Sequence, residues 1–378
     1  MAAEISGAFF DPMASSGKSG LAQAMQEARL TRILDKCRES GVLSRDEIIS
    51  LLSLGVPDSV RALLDVADEV RRACVGDEVQ IRALVEFSNV CVRRCMYCGL
   101  RAPNTHVKRY RMPPEEIIDL AVDLDRRGLK TIVLQSGEDP YFTGELLAEV
   151  VREIKSRTDM AVTLCVGERP YEDYRLWKDA GADRYLLRHE TANRELYRSL
   201  HPDGDFENRM HCLRMLRDLG YQTGAGSMVG LPGQTIEHLA DDIEFLRDFQ
   251  PDMVGIGPYI SHPNTPLAGS PSGDLEMTLK MVALARIVTR DALIPATTAV
   301  GTIHELGREM ALQAGADVVM PDYTPLKYRV HYEIYPNKRC ITEDPAACEP
   351  CLRARIQSVG RVVSTGHGHS RKSVRLPS

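Results

Sequence analysis

The amino-acid sequence predicts an α/β fold: a complete (βα)8 barrel of the TIM type, with a helical N-terminal extension and a short C-terminal extension that contains cysteines. From residue 79 onward, short runs rich in β-branched residues alternate with longer amphipathic segments, which is the pattern of βα repeats. About eight such repeats follow one another in roughly 250 residues, and this number favours a closed parallel barrel. The chain has 378 residues, 43% of them hydrophobic, and can therefore bury a core of this size.

Four segments are expected along the chain. They are a flexible tail rich in Ala, Ser and Gly (1–20), a helical extension (21–78), the barrel (79–330) and a C-terminal extension (331–378). In the helical extension, Ser44 and Glu47 have the spacing of a capping box, and Pro57 is placed to begin another helix.

The barrel is expected to contain eight strands with helices between them. The predicted strands are Val79–Phe87, Thr131–Gln135, Ala161–Val166, Arg184–Arg188, Thr223–Val229, Met253–Tyr259, Ile294–Ala299 and Val318–Met320. The predicted helices are Pro114–Arg127, Gly144–Arg157, Tyr171–Ala180, Phe206–Leu219, Thr235–Phe249, Leu275–Arg290 and Arg308–Ala314. An open barrel of six strands is the alternative. In either fold the chemistry is expected at the carboxyl ends of the strands.

Composition and charge narrow the class of partner. With 47 Lys and Arg against 53 Asp and Glu, the formal net charge of -6 argues against a nucleic-acid partner. The sequence has neither the pattern of a signal peptide nor an apolar run long enough for a membrane helix, so a cytoplasmic protein without a membrane partner is expected. Six of the ten cysteines fall into two short groups, which indicates thiolate ligands for a soft metal centre.

The first group of cysteines directly follows the first predicted strand. Cys91, Cys95 and Cys98 form a CxxxCxxC motif. Three thiolates on one short loop can bind three irons of a 4Fe–4S cubane and leave the fourth iron open to another ligand. A zinc site is the alternative, although zinc usually takes a fourth His or Cys at matching spacing, which this loop lacks.

This loop, with an aromatic residue, Tyr97, before its last cysteine, resembles the cluster loop of the radical S-adenosylmethionine (SAM) superfamily. The resemblance implies that SAM binds the open iron and is cleaved on one-electron reduction to methionine and a 5′-deoxyadenosyl radical. Ser136, Gly137 and Glu138, after the second predicted strand, resemble the superfamily's Gly-Gly-Glu element, which receives the SAM amino group. The first position departs from that element, because it is Ser here.

Longer stretches resemble one family within the superfamily, the FeFe-hydrogenase maturase HydE family. They are residues 85–91, 108–112, 131–141, 182–193, 224–234, 253–258 and 295–298. By this resemblance Arg188, Glu190 and Arg209 are expected to contact SAM. An acidic and a basic partner suit a sulfonium that carries a carboxylate. On the same grounds, Thr163, Met253 and Tyr332 are expected to line the SAM and substrate cavity, and Thr297 and Thr298 its substrate region. As neighbours on a predicted strand, those two threonines would face opposite sides.

The second group of cysteines follows the barrel. Cys340, Cys348 and Cys351 match the spacing of the family's auxiliary iron–sulfur site, which would hold a 2Fe–2S or a 4Fe–4S cluster, and adventitious zinc or an empty site is the alternative. Near the end of the chain, His367 and His369 are expected to belong to a solvated tail.

The HydE resemblance implies an enzyme of FeFe-hydrogenase H-cluster assembly. Its cofactors would be a 4Fe–4S cluster and SAM, and its substrate a small organometallic iron–cysteine complex. Companion maturation proteins and a reductant such as ferredoxin or flavodoxin would be its partners. Two alternatives remain: another radical SAM enzyme similar to methylornithine synthase or biotin synthase, and a non-catalytic iron–sulfur scaffold that carries a metal precursor.

Overall fold

The N-terminal part of the chain is helical. A computed structural model describes residues 13–343 and 345–372. Within these ranges, the side chains of residues 13–23, 345 and 346 are not described. Its first helices are α1 Met13–Glu39, α2 Arg45–Leu52 and α3 Pro57–Val75. The predicted capping box at Ser44 and Glu47 is present, and Pro57 begins α3. Residues 1–12 of the tail predicted for residues 1–20 lie outside the described residues. The remainder of that segment, from Met13, belongs to α1.

Parallel strands form the centre of the molecule. The strands are β1 Glu78–Ile81, β2 Ala83–Ser88, β3 Thr131–Ser136, β4 Ala161–Cys165, β5 Arg184–Leu186, β6 Gln222–Ala225, β7 Met228–Val229, β8 Met253–Val254, β9 Gly257–Pro258, β10 Val318–Val319 and β11 Val362–Val363. Six of them form one parallel sheet in the order β2-β3-β4-β5-β6-β8. Because their order in the sheet follows their order in the chain, each crossover connects neighbouring strands.

Helices follow most of these strands and cover the sheet. They are α4 Pro114–Arg126, α5 Gly144–Arg157, α6 Tyr171–Asp179, α7 Arg194–Leu200, α8 Phe206–Asp218, α9 Ile236–Phe249, α10 Leu275–Thr289, α11 Thr298–Ile303, α12 Gly307–Gln313, α13 Leu326–Arg329 and α14 Pro345–Ser358. Side-chain caps fix several starts, for example Thr143 on α5 and Asp274 on α10. None of the helices in the described ranges is long and apolar enough to cross a bilayer.

Isolated parallel bridges continue the pairing beyond the six-stranded sheet. Met253 of β8 is bridged to Leu293, and Pro295 is bridged to Val318 of β10. A further bridge joins Asp322 to Leu84 of β2, where the Leu84 amide donates to Pro321 O at 2.9 Å. Parallel contacts therefore run from β8 through residues 293–295 and 318–322 to β2.

Several predicted strands are wrong in detail. The single strand predicted for residues 79–87 is divided at Arg82, where its neighbour changes from β11 to β3. The runs at 223–229 and 253–259 each form two short strands, with the glycines Gly226 and Gly255 in the breaks. No strand forms at 294–299, because Thr297 caps the start of α11 by accepting a hydrogen bond from the Val300 amide.

The end of the described chain is bound to the protein, so the solvated tail predicted around His367 and His369 is wrong. His367 O accepts hydrogen bonds from Thr131 Oγ1 at 2.8 Å and from Arg184 Nη2 at 2.6 Å. Gln222 Nε2 donates to His369 Nδ1 at 2.8 Å. Thr131, Arg184 and Gln222 are the first residues of β3, β5 and β6. The C-terminal segment therefore crosses the amino ends of the strands, opposite the cysteine loop.

Candidate active site

The cluster loop lies at the carboxyl ends of the strands. Cys91, Cys95 and Cys98 follow β2 and line one cavity of about 190 Å³. The loop is fastened to the end of β3, since the Val92 amide donates to Glu138 O at 3.0 Å. Gly137 allows this close approach, because a Cβ there would overlap Val90 O and the Cys91 side chain.

Burial acts on all three of these thiols in the same direction. Desolvation raises the pKa of Cys91 and of Cys95 above the ordinary thiol value, and it raises the pKa of Cys98 to about 12. The isolated thiols would therefore stay protonated at neutral pH, and a bound cationic centre would have to stabilise the thiolates. In the described part of the chain, no three His, Cys, Asp or Glu side chains converge as the ligands of one metal ion do. A cubane needs a wider spacing, because each thiolate binds a different iron.

A network of acidic and basic side chains forms one wall of the cavity. Arg93 Nε donates to Glu138 Oε2 at 2.5 Å, and Arg93 Nη2 donates to Glu168 Oε2 at 3.1 Å. Arg209, on α8, pairs with Glu168 Oε1 at 2.8 Å. The carboxylate of Glu138 is thus already engaged by protein groups. The structure brings Glu138 and Arg209 together through Glu168, which the sequence pattern does not indicate.

The loop after β5 supplies a second wall. Arg188 Nη2 lies 3.2 Å from Glu190 Oε2 and donates to Ser227 O at 2.7 Å. Glu190 has a φ of +66°, which is an uncommon conformation for a residue with a Cβ. Arg188 Nε and Ser227 Oγ are buried without a hydrogen-bond partner. Arg188 lines the cavity, so a polar ligand there can satisfy its buried Nε.

The hydroxyl of Tyr97, in the cluster loop, is hydrogen-bonded to His201. His201 Nδ1 lies 2.9 Å from Tyr197 O, and His201 Nε2 lies 3.0 Å from Tyr97 Oη. A carbonyl oxygen only accepts, so Nδ1 of the neutral ring carries the hydrogen and Tyr97 donates to Nε2. Burial lowers the pKa of His201 to about 4, and the ring is therefore neutral at pH 7.

This lowered pKa predicts an acid-sensitive fold. The unfolded chain binds a proton at His201 near pH 6.5 and the folded chain only near pH 4, so stability is lost as the pH falls from about 6.5 to about 4. Chemical unfolding at pH 7.5 and pH 5 should show a smaller loss in the His201→Gln protein than in the wild type. The same substitution at the exposed His106 is the control. Equal losses in the wild type and in His201→Gln would contradict the assignment.

Two predicted residues lie deeper in the sheet interior. Thr163 and Met253 line a small cavity of about 20 Å³ together with Arg82. Thr163 Oγ1 and Arg82 Nε are buried there without hydrogen-bond partners. Tyr332 belongs to the cysteine cavity above, where Gln135 Nε2 donates to its hydroxyl at 3.3 Å.

The second group of cysteines forms a separate cavity. Cys340, Cys348 and Cys351 line a space of about 100 Å³ that also contains Thr298 and Arg308. Arg308 donates to Thr298 Oγ1 at 3.2 Å and has no carboxylate within ion-pairing distance among the described residues. The structure therefore places Thr298 beside the auxiliary cysteines. Thr297 acts as the cap of α11, and its hydroxyl is used there.

The sequence pattern misses two residues of this site, Glu168 and His201, because neither belongs to a motif. Glu168 follows β4, and His201 follows α7. The rule that barrel chemistry lies just beyond each strand could have indicated Glu168. No comparable signal marks His201, whose role depends on tertiary contacts.

Comparisons with known proteins agree with this geometry. A family model described as the Radical SAM superfamily matches residues 85–246. The FeFe hydrogenase maturase subunit HydE of Thermotoga maritima is 55% identical, over 87% of this chain and 94% of the relative. The 3-methylornithine synthase of Methanosarcina acetivorans is 28% identical, over 80% of this chain and 87% of the relative.

Solved structures show the same fold. The crystal structure of methylornithine synthase (PylB) matches with a TM-score of 0.77 and 25% identity, over 88% of this chain and 97% of that one. The structure of HydG, a maturase of the FeFe-hydrogenase, matches with a TM-score of 0.76 over 92% of this chain and 80% of that one, and at 20% identity it shows the fold alone. The protein thus has the α/β radical SAM fold with a parallel sheet. With 55% identity to HydE over most of both chains, it belongs to the HydE family of radical SAM proteins.

Proposed function

We propose that this chain is a HydE-type radical SAM enzyme of FeFe-hydrogenase maturation. In this proposal it cleaves SAM reductively and acts on a small iron–cyanide–carbonyl complex of cysteine on the path to the H-cluster. One observation carries the assignment: Cys91, Cys95 and Cys98 share a cavity with Arg188, Glu190 and Arg209 at the carboxyl ends of the strands. Companion maturation proteins and a ferredoxin or flavodoxin would be its partners.

The residues of the cavity fit a 4Fe–4S cluster and SAM. When bound, this pair would supply a 5′-deoxyadenosyl radical on one-electron reduction. The three cysteines would hold the cluster. Arg188 and Glu190 would bind the charged end of SAM, because their half-buried ion pair offers both signs of charge at the wall of the cavity. The buried Arg188 Nε, which has no hydrogen-bond partner, supports a polar occupant at this wall.

Other side chains would orient the cofactor and the substrate. Arg209, held by Glu168, would add positive charge beside the cavity. Tyr97, held by His201, and Ser136, Gly137 and Glu138 at the end of β3 would contact SAM. Tyr332 would cover the cavity and exclude water, since it is 2% exposed. Thr163 and Met253 would line the path to a buried substrate. The substrate role expected for Thr297 and Thr298 stays a prediction, since Thr297 caps α11 and Thr298 lies in the cavity of the auxiliary cysteines.

We further propose a complete barrel of eight strands around this substrate space. The bridges that link residues 293–295 and 318–322 to β8 and β2 support it. A closed barrel would leave its interior accessible only through its two ends. One end carries the cluster loop, and the other is crossed by residues 367–370.

We also propose an auxiliary iron–sulfur cluster at Cys340, Cys348 and Cys351. Arg308 supports an anionic occupant, because it is half-buried in this cavity without a carboxylate within ion-pairing distance among the described residues, and a cation favours an anionic neighbour. The cavity is separate from that of the first three cysteines, so a direct role in SAM cleavage is not part of the proposal.

This separation leads to a prediction for the auxiliary site. The Cys348→Ala protein should bind less iron than the wild type, because one of three ligands is lost, while its 5′-deoxyadenosine formation stays unchanged. Iron analysis and product chromatography on the same anaerobic sample measure both quantities. Loss of 5′-deoxyadenosine formation at full occupancy of the first cluster would contradict the separation.

The proposed function is tested by anaerobic turnover. Reduced, cluster-loaded protein and SAM should give 5′-deoxyadenosine. When the iron–cysteine complex is added, the radical should attack its sulfur, and mass analysis should find an adenosylated sulfur product. A non-catalytic scaffold would bind the cluster and give no 5′-deoxyadenosine. An enzyme of the methylornithine synthase type would instead form methylornithine and would not act on the complex. Either result would overturn the assignment.

A further inference from the structure

Arg109 occupies a special place beside the cluster loop. The loop that carries the three cysteines leaves the sheet at Asn89 and returns past Leu100 and Arg101. Arg109 Nη1 donates to Asn89 O at 2.6 Å and to Leu100 O at 2.9 Å. Its Nη2 donates to Arg101 O at 2.8 Å and to Asn104 O at 3.2 Å. One guanidinium thus joins the start of the loop to its end.

The charge of this guanidinium is not balanced by a carboxylate. Two other arginines near the loop are paired: Arg93 with Glu138, and Arg111 with Asp139. Arg109 has no Asp or Glu within ion-pairing distance in the described part of the chain, and its four partners are all neutral carbonyls. A net positive charge therefore remains next to the cysteines.

This charge is held close to two of the three ligands. Arg109 donates to the carbonyl of Asn89, two residues before Cys91, and to that of Leu100, two residues after Cys98. A cation favours an anionic neighbour, and a cluster becomes more negative when it is reduced. The same charge should therefore stabilise the reduced cluster.

We propose that Arg109 is a positioning residue of the cluster loop, which clamps the two ends of the loop and raises the reduction potential of the cluster through its unpaired charge. This inference rests on the proposed function, because it presupposes a cluster on Cys91, Cys95 and Cys98. Arg109 has two properties in this inference: it donates four hydrogen bonds to carbonyls, and it carries a positive charge. Substitution by Lys removes most of the first and keeps the second, whereas substitution by Gln removes both.

Two variants and one control test the inference. Arg109→Gln removes the charge and most of the donors, whereas Arg109→Lys keeps the charge but replaces a planar fork by a point charge. Lys108→Gln is the matched control: it removes an equal charge from the neighbouring residue, which is exposed. Iron per chain and the midpoint potential of the cluster are measured on anaerobically reconstituted full-length protein without SAM.

For Arg109→Gln we expect a loss of about tenfold in cluster affinity, the range found for partners that orient metal ligands, and a negative shift of the midpoint potential in the molecules that keep a cluster. Arg109→Lys should lose cluster affinity and keep a potential close to the wild type. Lys108→Gln should change neither quantity.

Three outcomes would overturn the inference: full cluster retention in both Arg109 variants, an unchanged potential in Arg109→Gln, or an equal shift in Lys108→Gln. If circular dichroism shows that Arg109→Gln does not fold, Arg109→Lys decides, since a wild-type affinity there excludes a clamp. A wild-type protein that holds a cluster but forms no 5′-deoxyadenosine would instead overturn the proposed function. The two failures are thus distinguishable.

Discussion

Replacing Cys95 by Ala is expected to abolish both cluster binding and the formation of 5′-deoxyadenosine. Cys95 is the middle ligand of the loop, and its own carbonyl is held by Arg101 Nε at 3.0 Å. With only two thiolates left on the loop, the cubane loses one of its three protein ligands. Iron analysis and chromatography of an anaerobic reaction measure both losses.

The control for this substitution is another cysteine. Cys74→Ala removes a half-buried thiol at the end of α3 that lines neither of the two cysteine cavities. It should leave cluster content and product unchanged. Formation of 5′-deoxyadenosine by the Cys95→Ala protein at the wild-type level would refute the assignment of the loop.

The second large effect is expected on stability, from Asp317→Ala. Asp317 Oδ1 accepts from Arg286 Nη2 at 2.9 Å and from the Ile294 amide at 2.7 Å, and both charged side chains are almost fully buried. The substitution leaves the guanidinium of Arg286 buried without its counter-charge, which typically costs about 3–5 kcal/mol. The free energy of unfolding, measured by denaturant titration, should fall by this amount.

An exposed pair serves as the comparison. Asp248 lies 2.8 Å from Arg247 Nε, and its side chain is 69% exposed. Because water screens this pair, Asp248→Ala should cost less than about 1 kcal/mol. A loss below 1 kcal/mol for Asp317→Ala as well would contradict the view that this buried pair fastens residues 293–295 and β10 together.

Long amphipathic segments could be predicted from the sequence because their signals are local. The helix predicted at Gly144–Arg157 has these bounds in the structure, since its apolar face and its Thr143 cap are both visible in the sequence. β3 is likewise close to its prediction, as a run of buried residues with β-branched side chains.

The short strands could not be predicted, because tertiary contacts decide them. β8 and β10 have two residues each, too few for a periodic pattern. The run at 294–299 reads as a strand in its composition, but the Thr297 hydroxyl caps a helix there instead. The binding of the C-terminal segment could not be predicted for a similar reason. A backbone carbonyl, His367 O, accepts the hydrogen bonds from Thr131 and Arg184, and every residue has such a carbonyl, so the sequence does not indicate this contact.

Some residues of the candidate site could also be predicted from the sequence, and others could not. The cysteine spacing indicated the cluster loop, and the family resemblance indicated Arg188, Glu190 and Arg209, all of which line its cavity. Glu168, which links Arg209 to Arg93, has no motif of its own. Arg109 lies in a stretch that resembles the family, yet its contacts with the loop appear only in three dimensions.

The central claim is that one iron of the cluster on Cys91, Cys95 and Cys98 is free to bind SAM. Electron paramagnetic resonance of the anaerobically reduced, cluster-loaded protein tests it most directly. The spectrum of the reduced cluster should change when SAM is added, because a new ligand joins one iron. A spectrum that stays identical at saturating SAM would contradict the account.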